Sequence, residues 1–405
     1  MRRRILFVAE AVSLAQVVRL VTLARALDPL RYEVHFASAQ FDALIFAGTT
    51  FHRHTIHSLP AAVVEARVAA GRRPYSVRTL SRYVDEERAL LQAVRPALVV
   101  GDLRLSLSIS TAVQGVPYAS LINAYWSGHA VRDGFPLPDH PIVRLLGVAR
   151  AARYFPSALP WVFEYFARPV NTLRRRHGLP PIGDIADVLT HGDHTLFPDV
   201  PALVPTRALP THQHFLGPVL WSPAVPLPAW WRALDPGRPT IYVTLGSSGC
   251  VSRLPLVIDV AAQLGFQVLV ATAGRCQLGS LPAHVFAADY LPGHLAARRS
   301  VAVVSNGGSS TGYQALAEGR PVLGIAFNLD QYLAMTAIAG AGAGLLLRAG
   351  NLQRATLGEA LQRLVGDSRF TAAATRLATE FGDWNAATNF AALVEGATEH
   401  APCRD

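Results

Sequence analysis

Apolar residues gather along this chain in short runs, separated by stretches where they recur every three or four positions. Residues 5–10 form a compact apolar run, 16–27 carry apolar side chains at helical spacing, and 32–37 alternate. That succession predicts strand, helix, strand. The rhythm returns at 97–101, a strand ending in Asp102, followed by a helical segment and a strand at 117–121. A second series begins with a strand at 240–245, closed by Gly246-Ser247-Ser248-Gly249. Further strands are predicted at 267–272, 285–287, 301–304 and 321–325, with a helix at 311–318 and helical structure from 371 onward. Strands alternating with helices predict parallel sheets covered on both faces.

The pattern breaks twice. Between 126 and 196 prolines become frequent and Arg174, Arg175 and Arg176 cluster on a predicted helix, so this stretch reads as an extended loop with helices decorating the first domain. Residues 217–239, rich in proline and tryptophan, read as a linker. The resulting division is a first domain at 1–216, a linker at 217–239, a second domain at 240–372 and a final segment at 373–405, helical over 373–399 and returning to the first domain.

Composition narrows the chemistry. Half of the 405 residues are hydrophobic and 16% are charged, which suits large cores rather than disorder. The formal net charge is +9, and every basic side chain is arginine; with no lysine, a Walker A lysine, a pyridoxal-phosphate Schiff base and a lysine general base are excluded. The positive charge favours anionic partners such as nucleoside diphosphates or a membrane surface. No basic stripe interleaved with aromatics is present, which argues against nucleic acid. Cys250, Cys276 and Cys403 are odd in number and far apart, as expected of reduced thiols in a cytoplasm. The start, MRRRILFVAEAV, has a basic head and an apolar run, but Glu10 interrupts it, and a buried strand is the expectation there rather than a signal peptide. No apolar stretch reaches the roughly 18 residues of a spanning helix.

The clearest chemical signal is Val303-Val304-Ser305-Asn306-Gly307-Gly308-Ser309-Ser310-Thr311. A buried strand runs into small residues and then a helix, whose first N–H groups and dipole favour an anion such as a diphosphate. A tight turn with a Ser or Thr N-cap would read the same way. Downstream stand Gln314-Ala315, Gly319-Arg320-Pro321 and Asp330-Gln331. Over about 26 residues this segment resembles the signature of the UDP-glycosyltransferase superfamily, which includes the glucuronosyl and macrolide-type enzymes. Leu245-Gly246-Ser247-Ser248 is similar to the family's first loop of the second domain. The run Arg175-Arg176-His177-Gly178-Leu179-Pro180-Pro181 resembles a stretch common in its bacterial members.

The resemblance implies an α/β chain of GT-B fold, two Rossmann-like doubly wound domains facing a central cleft. It implies an inverting, metal-independent transferase with no resident cofactor, moving a sugar from a UDP- or dTDP-sugar to a small, hydrophobic or natural-product acceptor held by the first domain. It assigns Ser248, Asn306, Gly308, Ser309, Ser310 and Thr311 to the diphosphate, Gln314 to the ribose, and Asp330 and Gln331 to sugar hydroxyls. Tyr290-Leu291-Pro292-Gly293 stands at the segment that packs on the base, so Tyr290 and Leu291 are expected there.

Two departures are visible. The family's histidine in the diphosphate motif is Asn306, and the catalytic histidine of the first domain is replaced by Gln16, with Arg19 three residues on. The aspartate that orients that histidine is present as Asp102. The candidate bases are then Asp102, Glu10 and His129; alternatively the acceptor hydroxyl is acidic enough to need little help. The other readings are a UDP-sugar epimerase of the same fold and a nucleotide-sugar binder without turnover. Residues 123–153, with Tyr125, Trp126 and Phe135, are expected to line the acceptor pocket. The helix at 12–23 is amphipathic enough to suggest peripheral membrane contact. His52, His54, His57, His191 and His194 lack a companion acidic or cysteine cluster in sequence, so they read as strand or loop residues and no metal site is expected. Gly340-x-Gly342-x-Gly344 reads as a helix end and turn, because no strand precedes it.

Overall fold

A computed structural model describes residues 2–399. Cys403 and the last residues of the 373–405 segment lie outside them. The chain divides into two compact units. The first comprises the residues up to Gly134, Pro141–Val219 and the stretch from Trp384; the second comprises Phe135–His140 and Leu220–Asp383.

The first unit is built on seven parallel strands: β1 (Arg3–Ala9), β2 (Tyr32–Ser38), β3 (His52–Thr55), β4 (Leu98–Asp102), β5 (Tyr118–Leu121), β6 (His194–Phe197) and β7 (Gln213–Phe215). Their order across the sheet is β3-β2-β1-β4-β5-β6-β7. Residues Ile5, Phe7, Val8 and Ala9 on β1 and Leu98, Val99 and Val100 on β4 are fully buried. Buried on both faces, central strands of this kind read as continuous apolar runs, which is why the sequence reveals them. The second unit repeats the plan with β8 (Thr240–Thr244), β9 (Gln267–Ala271), β10 (Val285–Ala288), β11 (Ala302–Ser305), β12 (Val322–Ala326) and β13 (Gly344–Arg348). Their order is β10-β9-β8-β11-β12-β13, again all parallel. Ile241, Val243, Val268 and Val304 meet Val257 and Ala261 of helix Leu254–Gln263 and Leu357 and Leu361 of helix Arg354–Gly366 in one core. In each sheet the strand order reverses once, between β1 and β4 and between β8 and β11. Crevices at the carboxyl ends of strands open at such reversals.

Three expectations need correction. The proline-rich stretch is mostly one helix, Val148–Arg176, with Pro156, Pro160 and Pro169 inside it. Each proline removes a backbone donor. The helix persists because Ala167, Val170 and Leu173 share a face buried against Leu80, Tyr83 and Val84, and Phe163 on the same face is buried as well. Tertiary burial here outweighs local propensity. Second, the terminal helix is two helices, Ser368–Gly382 in the second unit and Ala386–Glu399 in the first. The first ends at Gly382 with Asp383 as its C-cap, and Asn385 caps the second, its Oδ1 accepting from Thr388 N at 3.0 Å. Third, Gly340 does end a helix, Leu329–Gly340, but Gly344 already opens the edge strand β13. No described helix is long and apolar enough to cross a membrane.

Candidate active site

In the second unit, the turns after β8 and β11 meet at the strand reversal. Gly307 has φ +82°, and a Cβ there would come within 2.9 Å of Met335 Cγ. A Cβ on Gly249 would lie 2.8 Å from Asn306 Cβ and closer still to the carbonyl of Leu245. Only glycine fits either position, so the two turns pack backbone to backbone. Asn306 stitches them: its Oδ1 accepts from Gly308 N at 3.0 Å and its Nδ2 donates to Ser248 Oγ at 3.2 Å. Beyond it, helix Ser309–Ala317 starts from Gly308, which has no side chain with which to cap it. Its first turn carries Ser309, Ser310 and Thr311, so hydroxyls and main-chain donors gather at the positive end of the helix dipole.

The remaining residues assigned to the donor divide. Tyr290 is half-buried, its OH 3.4 Å from the Ala273 carbonyl, and Leu291 is buried. Gln314 is half-buried, and its Nε2 donates to the carbonyl of Trp221. Asp330 is half-buried in the first turn of helix Leu329–Gly340. Gln331 departs from its assignment to sugar hydroxyls. It is buried at the third helical position, where its Oε1 accepts from Phe327 N at 2.9 Å and Asn328 N at 3.4 Å, and its Nε2 donates to the Ser248 carbonyl at 3.4 Å. It closes a capping box with Asn328; both ends of its carboxamide serve the protein, and through Ser248 it supports the β8 turn.

One residue of this site escaped the sequence reading. Arg275, on the loop after β9, donates from Nη1 to the Gly249 carbonyl at 2.8 Å. The loop bends there through Ala273 (φ +54°) and Gly274 (φ +69°). Arg275 places a guanidinium against the β8 turn. A single arginine among 37 basic residues has no pattern to betray it; the Ala-Gly pair before it was the local signal.

In the first unit the corresponding reversal is filled by ion pairs. Asp102, fully buried at the end of β4, receives Arg19 Nε at 2.9 Å and Arg19 Nη2 at 2.8 Å. Arg19 Nη1 continues to Asn123 Oδ1 at 2.8 Å, and Asn123 Nδ2 to Asp199 Oδ1 at 2.8 Å. Asp199 also accepts from Ala124 N at 2.7 Å. Gln16, at the position where a histidine was expected, turns its Oε1 back to Ser13 N at 3.0 Å and Val12 N at 3.2 Å, capping helix Leu14–Ala24. Arg19, one turn further on, takes the aspartate. Glu10, 1% exposed after β1, is bound by Arg104 Nη1 at 2.8 Å and by Tyr83 OH at 3.3 Å. Arg104 also reaches Glu87 at 2.6 Å and lies over the Tyr83 ring, 3.6 Å from its centroid. Burial pushes the Glu10 carboxyl above its ordinary range, and Arg104 pulls it part of the way back.

These contacts revise the base candidates. Asp102 and Glu10 are each buried and held by a guanidinium, and Gln16 is a helix cap, so none presents a proton acceptor to an acceptor molecule. His129 differs. It is half-buried in the loop after β5, with its backbone bonded to Ser127 Oγ at 3.1 Å and Arg207 N at 2.8 Å, and among the described residues its ring makes no hydrogen bond. The expected acceptor pocket at 123–153 is also revised. Tyr125 and Trp126 are buried in the short turn Ala124–Trp126, and Phe135 belongs to the second unit. Among the apolar side chains that do face outward in the first unit, Ile142, Leu145, Tyr154 and Trp161, the last 76% exposed, lie on helices Pro141–Leu146 and Val148–Arg176.

Comparison with known proteins bears on these features. The model of the erythromycin biosynthesis protein CIII-like C-terminal domain matches residues 255–392. A PGL/p-HBAD biosynthesis glycosyltransferase of Mycobacterium tuberculosis H37Ra is 48% identical over 383 residues, 94% of this chain and 89% of that protein. A PGL/p-HBAD biosynthesis rhamnosyltransferase of Mycobacterium bovis BCG is 48% identical over 382 residues, 94% of this chain and 85% of that protein. Among solved structures, the spinosyn rhamnosyltransferase SpnG complexed with thymidine diphosphate aligns with a TM-score of 0.69 at 20% identity, covering 97% of this chain and 99% of its own. Two doubly wound units with a glycine-lined strand reversal in the second, and this identity over nearly the whole length, place the chain in the family of bacterial GT-B glycosyltransferases to which the PGL/p-HBAD biosynthesis enzymes belong.

Proposed function

We propose that the chain binds a nucleoside-diphosphate sugar at the β8 and β11 turns and transfers the sugar, with inversion, to a hydroxyl of an apolar acceptor. The observation that carries this reading is the joint between Asn306 and Ser248 beside the uncapped start of helix Ser309–Ala317. Main-chain donors and the hydroxyls of Ser309, Ser310 and Thr311 stand at that helix start, and Arg275 binds the Gly249 carbonyl of the same β8 turn that carries Ser248. As the acceptor oxygen attacks the anomeric carbon, the bond to the diphosphate breaks and negative charge grows on the leaving phosphate. Donors fixed beforehand favour that charge at the moment it forms. Charge stabilisation is thus assigned to the protein's own groups, without a metal ion.

His129 is proposed as the group that takes the acceptor proton, since the other candidates are committed to ion pairs or a helix cap. The outward apolar side chains around Tyr154 and Trp161 favour a hydrophobic acceptor. Because one relative is described as a rhamnosyltransferase and a structural neighbour binds thymidine diphosphate, dTDP-rhamnose is the first donor to try.

The test is calorimetric titration with dTDP and UDP, followed by turnover of dTDP-rhamnose with phenolic and lipidic acceptors, read by mass spectrometry in buffer with and without EDTA. Binding of one nucleotide, with transfer insensitive to EDTA, is expected. Nucleotide binding without consumption of any sugar donor would leave only a binding protein. His129→Ala should slow transfer by about 100-fold or more while dTDP binding stays unchanged. A loss below about threefold would remove the histidine from the mechanism and point to an acceptor whose hydroxyl ionises unaided.

A further inference from the structure

The histidines that stand alone in the sequence do not stand alone in the fold. Strand β3 adds to β2 in parallel at the edge of the first sheet, with His35 opposite His52 and Ala37 opposite His54. That register sets three imidazoles side by side: His35 stacks on His52 with ring centroids 4.7 Å apart and on His54 at 5.2 Å. Glu33, two residues before His35 on β2, brings its carboxylate to the same face. Its Oε1 lies 3.0 Å from His35 Nε2 and 3.5 Å from His52 Nε2. His35 Nδ1 lies 2.9 Å from His54 Nε2.

We propose that Glu33, His35 and His52 form a binding site for a divalent cation of the zinc type, with His54 holding the second ring nitrogen of His35. Two donors bound to one zinc ion at about 2.0–2.1 Å and a tetrahedral angle stand roughly 3.3 Å apart. The two distances to Glu33 Oε1 bracket that value. Two imidazoles and a carboxylate suit zinc rather than calcium or magnesium, which prefer oxygen donors. Ligand histidines commonly have their other ring nitrogen fixed by a neighbour, which sets the tautomer; His54 does that for His35. With the cation on the Nε2 that faces Glu33, the ring proton of His35 belongs on Nδ1, where it is donated to His54 Nε2, and His54 carries its own proton on Nδ1. The other oxygen of Glu33 faces Arg2 Nη2 at 4.0 Å. The carboxylate is thus turned with one oxygen toward the histidines, and the nearby guanidinium makes the affinity modest. His52 is exposed, so the remaining coordination positions open to water.

The site lies on the first sheet's edge pair, and Glu33 pairs with Arg4 near the start of β1, whereas Asp102 and Glu10 mark the far, carboxyl ends of the strands. The cation therefore fastens a four-residue edge strand and takes no part in sugar transfer; the proposal stands apart from the transferase reading. It is tested on the full chain without an affinity tag, stripped with chelator and dialysed against micromolar zinc chloride. One zinc per chain by mass spectrometry of the metal, a thermal midpoint raised by a few degrees, and visible absorption bands on cobalt substitution are expected. His52→Ala, an exposed position whose loss leaves the fold intact, should lower zinc affinity at least tenfold and abolish the cobalt bands; Glu33→Gln should weaken binding likewise. His214→Ala, at a separate histidine pair, should bind as the parent does. Absence of zinc from the stripped and reloaded parent overturns the proposal. So does zinc bound equally by His52→Ala and the parent, or zinc lost in His214→Ala alone.

Discussion

The two units share one strand plan and use its reversal point in opposite ways. Between β1 and β4 the first unit packs side chains into the crevice: Asp102 with Arg19, and Glu10 and Glu87 with Arg104. Between β8 and β11 the second unit removes side chains, so that glycine turns expose main-chain donors and small hydroxyls. A doubly wound sheet provides the crevice in both cases, but local residues decide whether it is filled or left to a ligand. Substitutions in the first crevice should therefore cost stability, and those in the second should cost nucleotide affinity.

The largest effect is expected at Arg104. Arg104→Met leaves two buried carboxylates without their cation and should lower the unfolding free energy in urea by about 3–5 kcal/mol. Glu10→Gln should cost less than about 1 kcal/mol, because Arg104 keeps Glu87. The two Glu10 forms should also differ in pH dependence. Burial raises the Glu10 carboxyl in the folded state. The stability it contributes is thus present at low pH and lost as pH rises through the folded value. As pH rises from about 4 the parent should lose ground against Glu10→Gln, which urea titrations over a pH series would show; a parent that gains on the variant as pH rises would contradict the burial argument.

Next is Asp102→Asn, which takes the charge from the partner of Arg19. A loss of about 2–4 kcal/mol is expected, with dTDP affinity held within twofold by calorimetry. In the second unit the order inverts. Asn306→Ala should weaken dTDP about tenfold, or about 1.4 kcal/mol, and shift the thermal midpoint little. If it unfolds the chain as Arg104→Met does, the contrast between the crevices fails. The smallest effect is expected from Arg275→Met: a threefold to tenfold weaker dTDP complex whose affinity depends less on salt than the parent's.

The contrast also explains what the sequence could reveal. The central strands, buried on both faces, announce themselves as apolar runs. The edge strands do not: β3 is His-Arg-His-Thr and exposed on most of its length, and β7 is three half-buried residues. The glycine turns of the second unit are legible because small residues between a strand and a helix have few other uses. The filled crevice of the first unit is not. Asp102 was visible as a strand-end aspartate and Gln16 as the residue in place of a histidine, but the partner that makes sense of both is Arg19, 83 positions from Asp102. Glu10 and Arg104 are separated by 94. Pairs so distant leave no periodicity, and a carboxylate in sequence looks the same whether it faces solvent or an arginine. The prolines of 148–176 mislead for the same reason, since the burial that sustains that helix is supplied by residues near 80.

The division of the chain has a consequence for how the protein is made. Asp139, in the six-residue strip Phe135–His140, accepts from Arg348 Nη2 at 2.6 Å, Tyr332 OH at 3.1 Å and Gly350 N at 2.7 Å. The strip leaves the ribosome some 200 residues before its partners. The first unit waits longer still, because helix Ala386–Glu399 packs on helix Leu14–Ala24. Closing loops of that length delays folding and leaves apolar surface exposed meanwhile. Neither unit is a contiguous piece of sequence, so cutting the gene at the linker would give two fragments, each missing a part that the other carries.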